Sequence, residues 1–161
     1  MHVTSDTERL DLERCGLALA PVSVIANGTE VPDTVGRAPI ARRVLFLGRL
    51  SWKKNLDALL RAVAALPECG LTLAGPDDEG LEPHLSRLAS ELGIAERVRF
   101  VGQVDAEQKA GLFAQAACAV LPSINENFGN VVIEAMAHGC PVVVSPGVGS
   151  RSVVEASGGG L

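Results

Sequence analysis

Short apolar runs and amphipathic stretches alternate along most of this chain. RVLFLG, LTLAG, RVRFVG, CAVLP and PVVVS are dense in Val, Leu and Phe and are bounded by Gly, Pro or charge, from residue 43 to residue 145. RVLFLG, an apolar run closed by Gly48, predicts a buried strand, and the other runs read as strands. Between them, residues 55–66 place Leu56, Leu59, Leu60, Val63 and Leu66 on one helical stripe, and residues 81–92 do the same with Leu81, Leu85, Leu88 and Leu92. Such spacing predicts helices that cover a sheet. Helices are also predicted from the cap Asp105 to about Ala116, over 130–138 with Gly139 as the stop, and over 150–156. Strands alternating with helices in this way predict an α/β fold with a Rossmann-like, doubly wound parallel sheet.

The first forty residues read differently. HVTS suggests the tail of a strand, and Ser5-Asp6-Thr7-Glu8 has the S-x-x-E form of a capping box ahead of a helix ending near Cys15 and Gly16. PVSVI reads as a short strand, and residues 27–39, rich in Gly, Pro, Asn and Asp, read as a loop or linker.

Composition narrows the class. The chain has 161 residues, 47% of them hydrophobic but only 3% aromatic, which fits one aliphatic core. A net charge of −5 with mixed signs argues against a nucleic-acid partner. Cys15, Cys69, Cys118 and Cys140 form no C-x-x-C pair and have no His at ligand spacing, so packing roles in a reducing compartment are expected. No apolar run reaches the roughly 18–20 residues of a membrane span.

In an open parallel sheet, ligands bind beyond the carboxyl ends of the strands. There Arg49, Lys53 and Lys54 follow the first buried strand, and Glu126, Asn127, Phe128, Gly129 and Asn130 follow CAVLP. A helix starting near Gly129 offers unpaired N–H groups and partial positive charge to a diphosphate, with no side chain on Gly129 to obstruct it. Glu126 precedes this seat and Glu134 lies within the helix. A carboxylate suits hydroxyl groups rather than phosphate. The spacing therefore offers hydroxyl, phosphate and hydroxyl sites in series, the order of sugar, diphosphate and ribose in a nucleoside diphosphate sugar. Each residue has a plainer explanation: a helix-dipole acid for Glu134, a polar-loop acid for Glu126, surface charge for Arg49 and Lys54. Asp77-Asp78 reads as a solvated acidic pair rather than a metal site, His84 and His138 as unaccompanied, and Trp52 as a packing or a stacking residue.

Four blocks taken in order, GRLSWKKNLDALLRA, LTLAGPDDEG, RVRFVGQVDAEQKAGLFAQAACAVLPS and ENFGNVVIEAMAHGCPVVVS, resemble the C-terminal domain of retaining GT-B glycosyltransferases of family 4, the glycosyl transferases group 1. The last block carries the family's E-x7-E signature, and Asn55 stands where the family commonly has Gly. The resemblance implies that Arg49 and Lys54 hold the donor diphosphate and stabilise the leaving group, with Glu126 beside the donor sugar as the third catalytic candidate. It implies that the backbone of Asn127, Phe128, Gly129 and Asn130 contacts sugar and phosphate, that Glu134 holds the ribose, and that Val104 offers backbone contacts to the base. It implies a front-face displacement with no protein nucleophile, no metal and no cofactor beyond the donor itself. Residues 1–40 would then be the exit of an N-terminal acceptor domain and an interdomain linker. Residues 41–161 would be the nucleotide-sugar domain, incomplete at its C-terminus, so that the chain is expected to be inactive alone. The acceptor would be a glycan, a lipid-linked glycan or a small molecule, and the parent enzyme cytoplasmic, including the inner face of a membrane when the acceptor is a lipid. Two other functions stay open: a nucleotide-sugar epimerase of GT-B fold, and a non-catalytic nucleotide-sugar-binding module.

Overall fold

The computed structural model describes residues 1–16, 20–40 and 42–161. Among the described residues, thirteen β-strands and α-helices follow in chain order. They are β1 (His2–Val3), α1 (Asp6–Arg14), β2 (Ser23–Val24), β3 (Arg43–Leu47), α2 (Leu56–Ala64), β4 (Gly70–Ala74) and α3 (Glu82–Glu91). Then come β5 (Val98–Gly102), α4 (Ala106–Gln115), β6 (Cys118–Leu121), α5 (Asn130–Ala137), β7 (Val142–Val144) and α6 (Arg151–Ser157).

The main sheet has five parallel strands in the order β5-β4-β3-β6-β7. Its order reverses at β3, so the loops after β3 and β6 part there and open a crevice at their carboxyl ends. Right-handed crossovers put α2 and α3 on one face and α4 and α5 on the other. Contacts agree: Asp57 of α2 meets His84 of α3 at 2.9 Å, and Lys109 of α4 meets Glu134 of α5 at 2.8 Å. His84 is therefore accompanied, contrary to expectation, because the two helices bring together residues 27 positions apart.

The core is as aliphatic as the composition suggests. Phe46, Leu60, Leu71 and Phe113 are fully buried, and β4 is buried at every position. Of the free cysteines, Cys69 and Cys140 are buried, Cys118 is half-buried and Cys15 is exposed. Burial pushes the Cys118 and Cys140 thiols up, which keeps them protonated and unreactive. Two backbone features explain particular residues. Asn55 takes the left-handed φ of 53° between a 3₁₀ turn at Trp52–Lys54 and α2, a conformation Asn tolerates in place of Gly. Gly75 has no room for a side chain, since a Cβ would sit 2.0 Å from the Gly48 carbonyl oxygen.

The amino-terminal segment joins this unit through specific bonds. β1 and β2 pair in parallel as a separate ribbon. Ser5 caps α1 by accepting the Glu8 N–H, as the S-x-x-E pattern predicts, but the Glu8 carboxylate turns to the N–H of Thr4 rather than that of Ser5. Segment 27–40 lies along α4: the N–H groups of Ala38 and Ile40 donate to the carbonyls of Ala114 and Gln115. The boundary expected at residue 41 falls outside the described residues.

Candidate functional site

The crevice at the sheet reversal holds a hollow of about 610 Å³ lined by Arg49, Ser51, Trp52, Lys53, Lys54, Glu79, Asn125, Glu126 and Asn127. Each residue arrives by a loop from a strand end. Arg49 to Lys54 follow β3, Glu79 follows β4, and Asn125 to Asn127 follow β6. Three cationic side chains face two carboxylates, so the wall has a surplus of positive charge. Lys54 Nζ donates to Glu126 Oε2, an ion pair whose side chains are only 18% and 25% exposed. Ser123 Oγ donates to the same oxygen at 3.3 Å. Arg49 lies 3.6 Å from Asp78 at the rim and stays well exposed. Trp52 is an exposed face with the Lys53 ammonium 5.7 Å from its ring centre. Its position on the wall favours a stacking surface over a packing anchor.

Glu134 stands in a second hollow. It has about 560 Å³ and is lined by residues 29–33 together with Ala106, Lys109, Glu134 and His138. Glu30, Asp33 and Glu134 outnumber Lys109, so this wall is acidic. Glu134 Oε2 accepts from Lys109 Nζ at 2.8 Å. His138 is not isolated: its Nδ1 donates to the Glu134 carbonyl at 2.9 Å and its ring lies 5.2 Å from that of Phe113.

Along the chain, the start of α5 links Asn127 of the first hollow to Glu134 of the second. Gly129, its N-cap, has φ 84° and is boxed in, with a hypothetical Cβ 2.8 Å from Leu121 Cδ2 and 3.2 Å from Val148 Cγ1. Phe128 is buried, so only its backbone can face a ligand. The carbonyls of Glu126 and Phe128 accept the N–H groups of Gly149 and Ser150, at 2.9 Å each. Carbonyl oxygens are thereby turned into the protein, leaving the N–H side of the α5 start for an anion. Asn130 Oδ1 accepts from Asn27 Nδ2 at 2.8 Å.

Comparison with known proteins gives the family. The family described as Glycosyl transferases group 1 matches residues 35–161. The chain belongs to that family. It is 44% identical over 137 residues to D-inositol 3-phosphate glycosyltransferase 2 of Catenulispora acidiphila, covering 78% of this chain and 32% of that protein. Sucrose-phosphate synthase from Thermosynechococcus elongatus superposes with a TM-score of 0.85 at 32% identity, over 99% of this chain and 44% of that one. Anabaena HepE, solved in complex with UDP, superposes with a TM-score of 0.81 at 24% identity, over 99% and 48% of the two chains. The chain thus spans about a third of the length of the curated relative above. The parallel sheet is the Rossmann-like half of a GT-B glycosyltransferase fold, as the resemblance implied.

For a group 1 glycosyltransferase, the structure brings Arg49, Lys54, Glu126 and Asn127 to one hollow and sets Glu134 in the other, with Phe128, Gly129 and Asn130 between them in sequence. Val104 stands apart. It is half-buried against the core in the turn before α4 and lines neither hollow. Three features were missed from the sequence: Lys109 as the partner of Glu134, the roof formed by residues 29–33, and the contacts of α1 with the 125–127 loop. Each depends on pairing across more than twenty residues, for which a single sequence carries no periodic signal. Asp77 does not contribute to a metal group: its carboxylate caps α3, accepting the N–H groups of Leu81 and Glu82 at 2.7 and 2.9 Å. Among the described residues no cluster of metal-type side chains gathers, and no helix is long and apolar enough to cross a membrane.

Proposed function

We propose that residues 41–161 form the donor-nucleotide domain of a retaining glycosyltransferase, with residues 1–40 as its interdomain connection. The observation that carries this reading is the charge difference between the two hollows that the α5 start links along the chain. A cationic hollow beside unpaired helix N–H groups suits a diphosphate. An acidic hollow repels phosphate and suits the hydroxyls of a ribose, which a carboxylate can accept in pairs.

In this reading Arg49 and Lys54 bind the diphosphate and offset the charge that grows on it as the bond from the sugar's anomeric carbon to phosphate oxygen breaks. Glu126, held by Lys54, accepts hydrogen bonds from the donor sugar's hydroxyls and is not the nucleophile. An acceptor hydroxyl attacks the same face that the leaving group vacates and passes its proton to the departing diphosphate oxygen, preserving the anomeric configuration. The side chains balance the diphosphate without a metal. The first donor to try is a UDP-sugar, since the Anabaena neighbour binds UDP. Of the acceptor classes, a small molecule is favoured by the name of the Catenulispora relative. The 161-residue chain alone binds donor without turning it over, because positioning of the acceptor supplies much of the rate.

Calorimetric titration with UDP, GDP and ADP, each with and without magnesium, tests the reading. One nucleotide should bind preferentially, unchanged by magnesium, and Glu134→Ala should weaken it by about tenfold, as for a lost hydrogen bond to a charged group. Absence of binding, or binding indifferent to Glu134→Ala, would overturn it.

A further inference from the structure

We infer that Ser5 and Glu8 of the amino-terminal segment are positioning residues of the donor site, fixing Asn127 from both of its ends. This rests on the assignment of the cationic hollow to the diphosphate and sugar.

Asn127 lines that hollow and sits in the loop between β6 and α5, with no secondary structure of its own to hold it. Its carbonyl accepts the Ser5 hydroxyl at 2.7 Å, across 122 residues of sequence. Its side-chain amide donates to Glu8 Oε1 at 3.2 Å. Neither anchor is free to wander. Ser5 is 3% exposed and its oxygen also accepts the Glu8 N–H at 3.1 Å. The other oxygen of Glu8 accepts both the N–H and the hydroxyl of Thr4, at 2.7 and 2.8 Å.

Helix capping alone does not account for this. A cap needs only a lone pair of the serine oxygen, whereas the single hydroxyl proton is committed to the loop. The opposite wall is shaped for the same bond. A Cβ at Gly149 would lie 1.9 Å from the Asn127 carbonyl oxygen and 2.6 Å from Ser5 Oγ, so any side chain there would displace both partners. The Gly149 N–H meanwhile donates to the Glu126 carbonyl at 2.9 Å. One strip of backbone therefore holds Glu126 and leaves the gap through which α1 reaches Asn127. Movement of α1 would be felt on the sugar side of the site and not at Glu134.

The test uses the whole 161-residue chain, with Ser5→Ala, Ser5→Thr and Glu8→Ala. Affinities are measured for a nucleoside monophosphate and for the corresponding sugar nucleotide, as UMP with UDP-glucose, GMP with GDP-mannose and AMP with ADP-glucose. Ser5→Ala should weaken the sugar nucleotide about tenfold and leave the monophosphate within about twofold, with Ser5→Thr restoring wild-type affinity. Equal weakening of both ligands, or no change in either, would overturn the inference. Glu8→Ala, which keeps the Ser5 hydroxyl, gives the same split at smaller size should Ser5→Ala fold poorly. If the wild type binds none of these ligands, the assignment of the site fails. Hydrogen exchange then decides the anchor separately: amides of residues 125–129 should exchange about tenfold faster in Ser5→Ala. Unchanged exchange there would refute it.

Discussion

The hollows holding Glu126 and Glu134 contain the same pair of residue types and are opposite in the charge of their lining side chains. Each holds a glutamate of the E-x7-E signature, and each glutamate is met by a lysine. In the first, Lys54 comes from the loop after β3, two side chains from neighbouring strand ends meet, and the surrounding wall is basic. In the second, Lys109 comes from a parallel helix, the wall is acidic, and the roof is residues 29–33, which have no helix or strand. An ion pair by itself therefore says little about what a pocket takes. In the proposed reading, the sum of the charged side chains lining each wall, and the helix end nearby, separate phosphate from hydroxyl. The difference in construction also bears on motion. Strand-end loops are tied into the central sheet, while a roof of irregular chain opens at lower cost.

Distorting the α5 start that links the hollows should have the largest effect. Gly129→Ala adds a Cβ 2.8 Å from Leu121 Cδ2 at a residue with φ 84°. Left-handed strain and overpacking together should cost about 2–4 kcal/mol, read as a lower midpoint in chemical denaturation, and both hollows should lose ligand. A variant of native stability would mean that the loop yields and that the α5 start is not rigid.

A middle-sized effect separates the two lysines. Lys54→Met should weaken a nucleoside diphosphate by about tenfold and a monophosphate less, because it removes the proposed phosphate partner and leaves Glu126 uncompensated. Lys109→Met should change the two ligands by similar, few-fold factors, since it acts only on the side of Glu134. Identical selectivity in the two variants, measured by calorimetry, would erase the distinction drawn between the hollows.

The smallest effect lies behind the cationic hollow. Ser150 is fully buried, and its hydroxyl has no hydrogen-bond partner among the described residues. Ser150→Ala relieves an unsatisfied polar group and should be neutral or stabilising by about 1 kcal/mol, with donor affinity unchanged. A clear loss of stability would show that the hydroxyl has a partner such as an ordered water.

Much of this architecture was legible because its signals are local. The run RVLFLG, the stripe Leu56-Leu59-Leu60-Val63 and the cap at Asp105 each fix an element within a few residues, and all three appear where expected. Arg49, Lys54 and Glu126 were legible as rim residues because every parallel strand ends on the same side of the sheet. Val104 was placed by resemblance, and the structure leaves it outside both hollows. His84 was misread as solitary, because its partner Asp57 belongs to another helix.

Periodicity and turn chemistry in the sequence determined the parallel α/β sheet, its aliphatic core and the rim on which the charged residues stand. Those features follow from the energetics of burying each segment's apolar side, which neighbours in sequence largely specify. Tertiary structure alone decided that Glu126 and Glu134 face different hollows, that Lys109 meets Glu134, and that Ser5 reaches Asn127 past a glycine. These depend on where distant segments cross, and a hydrogen bond between residues 122 apart exists only after the sheet has brought them together.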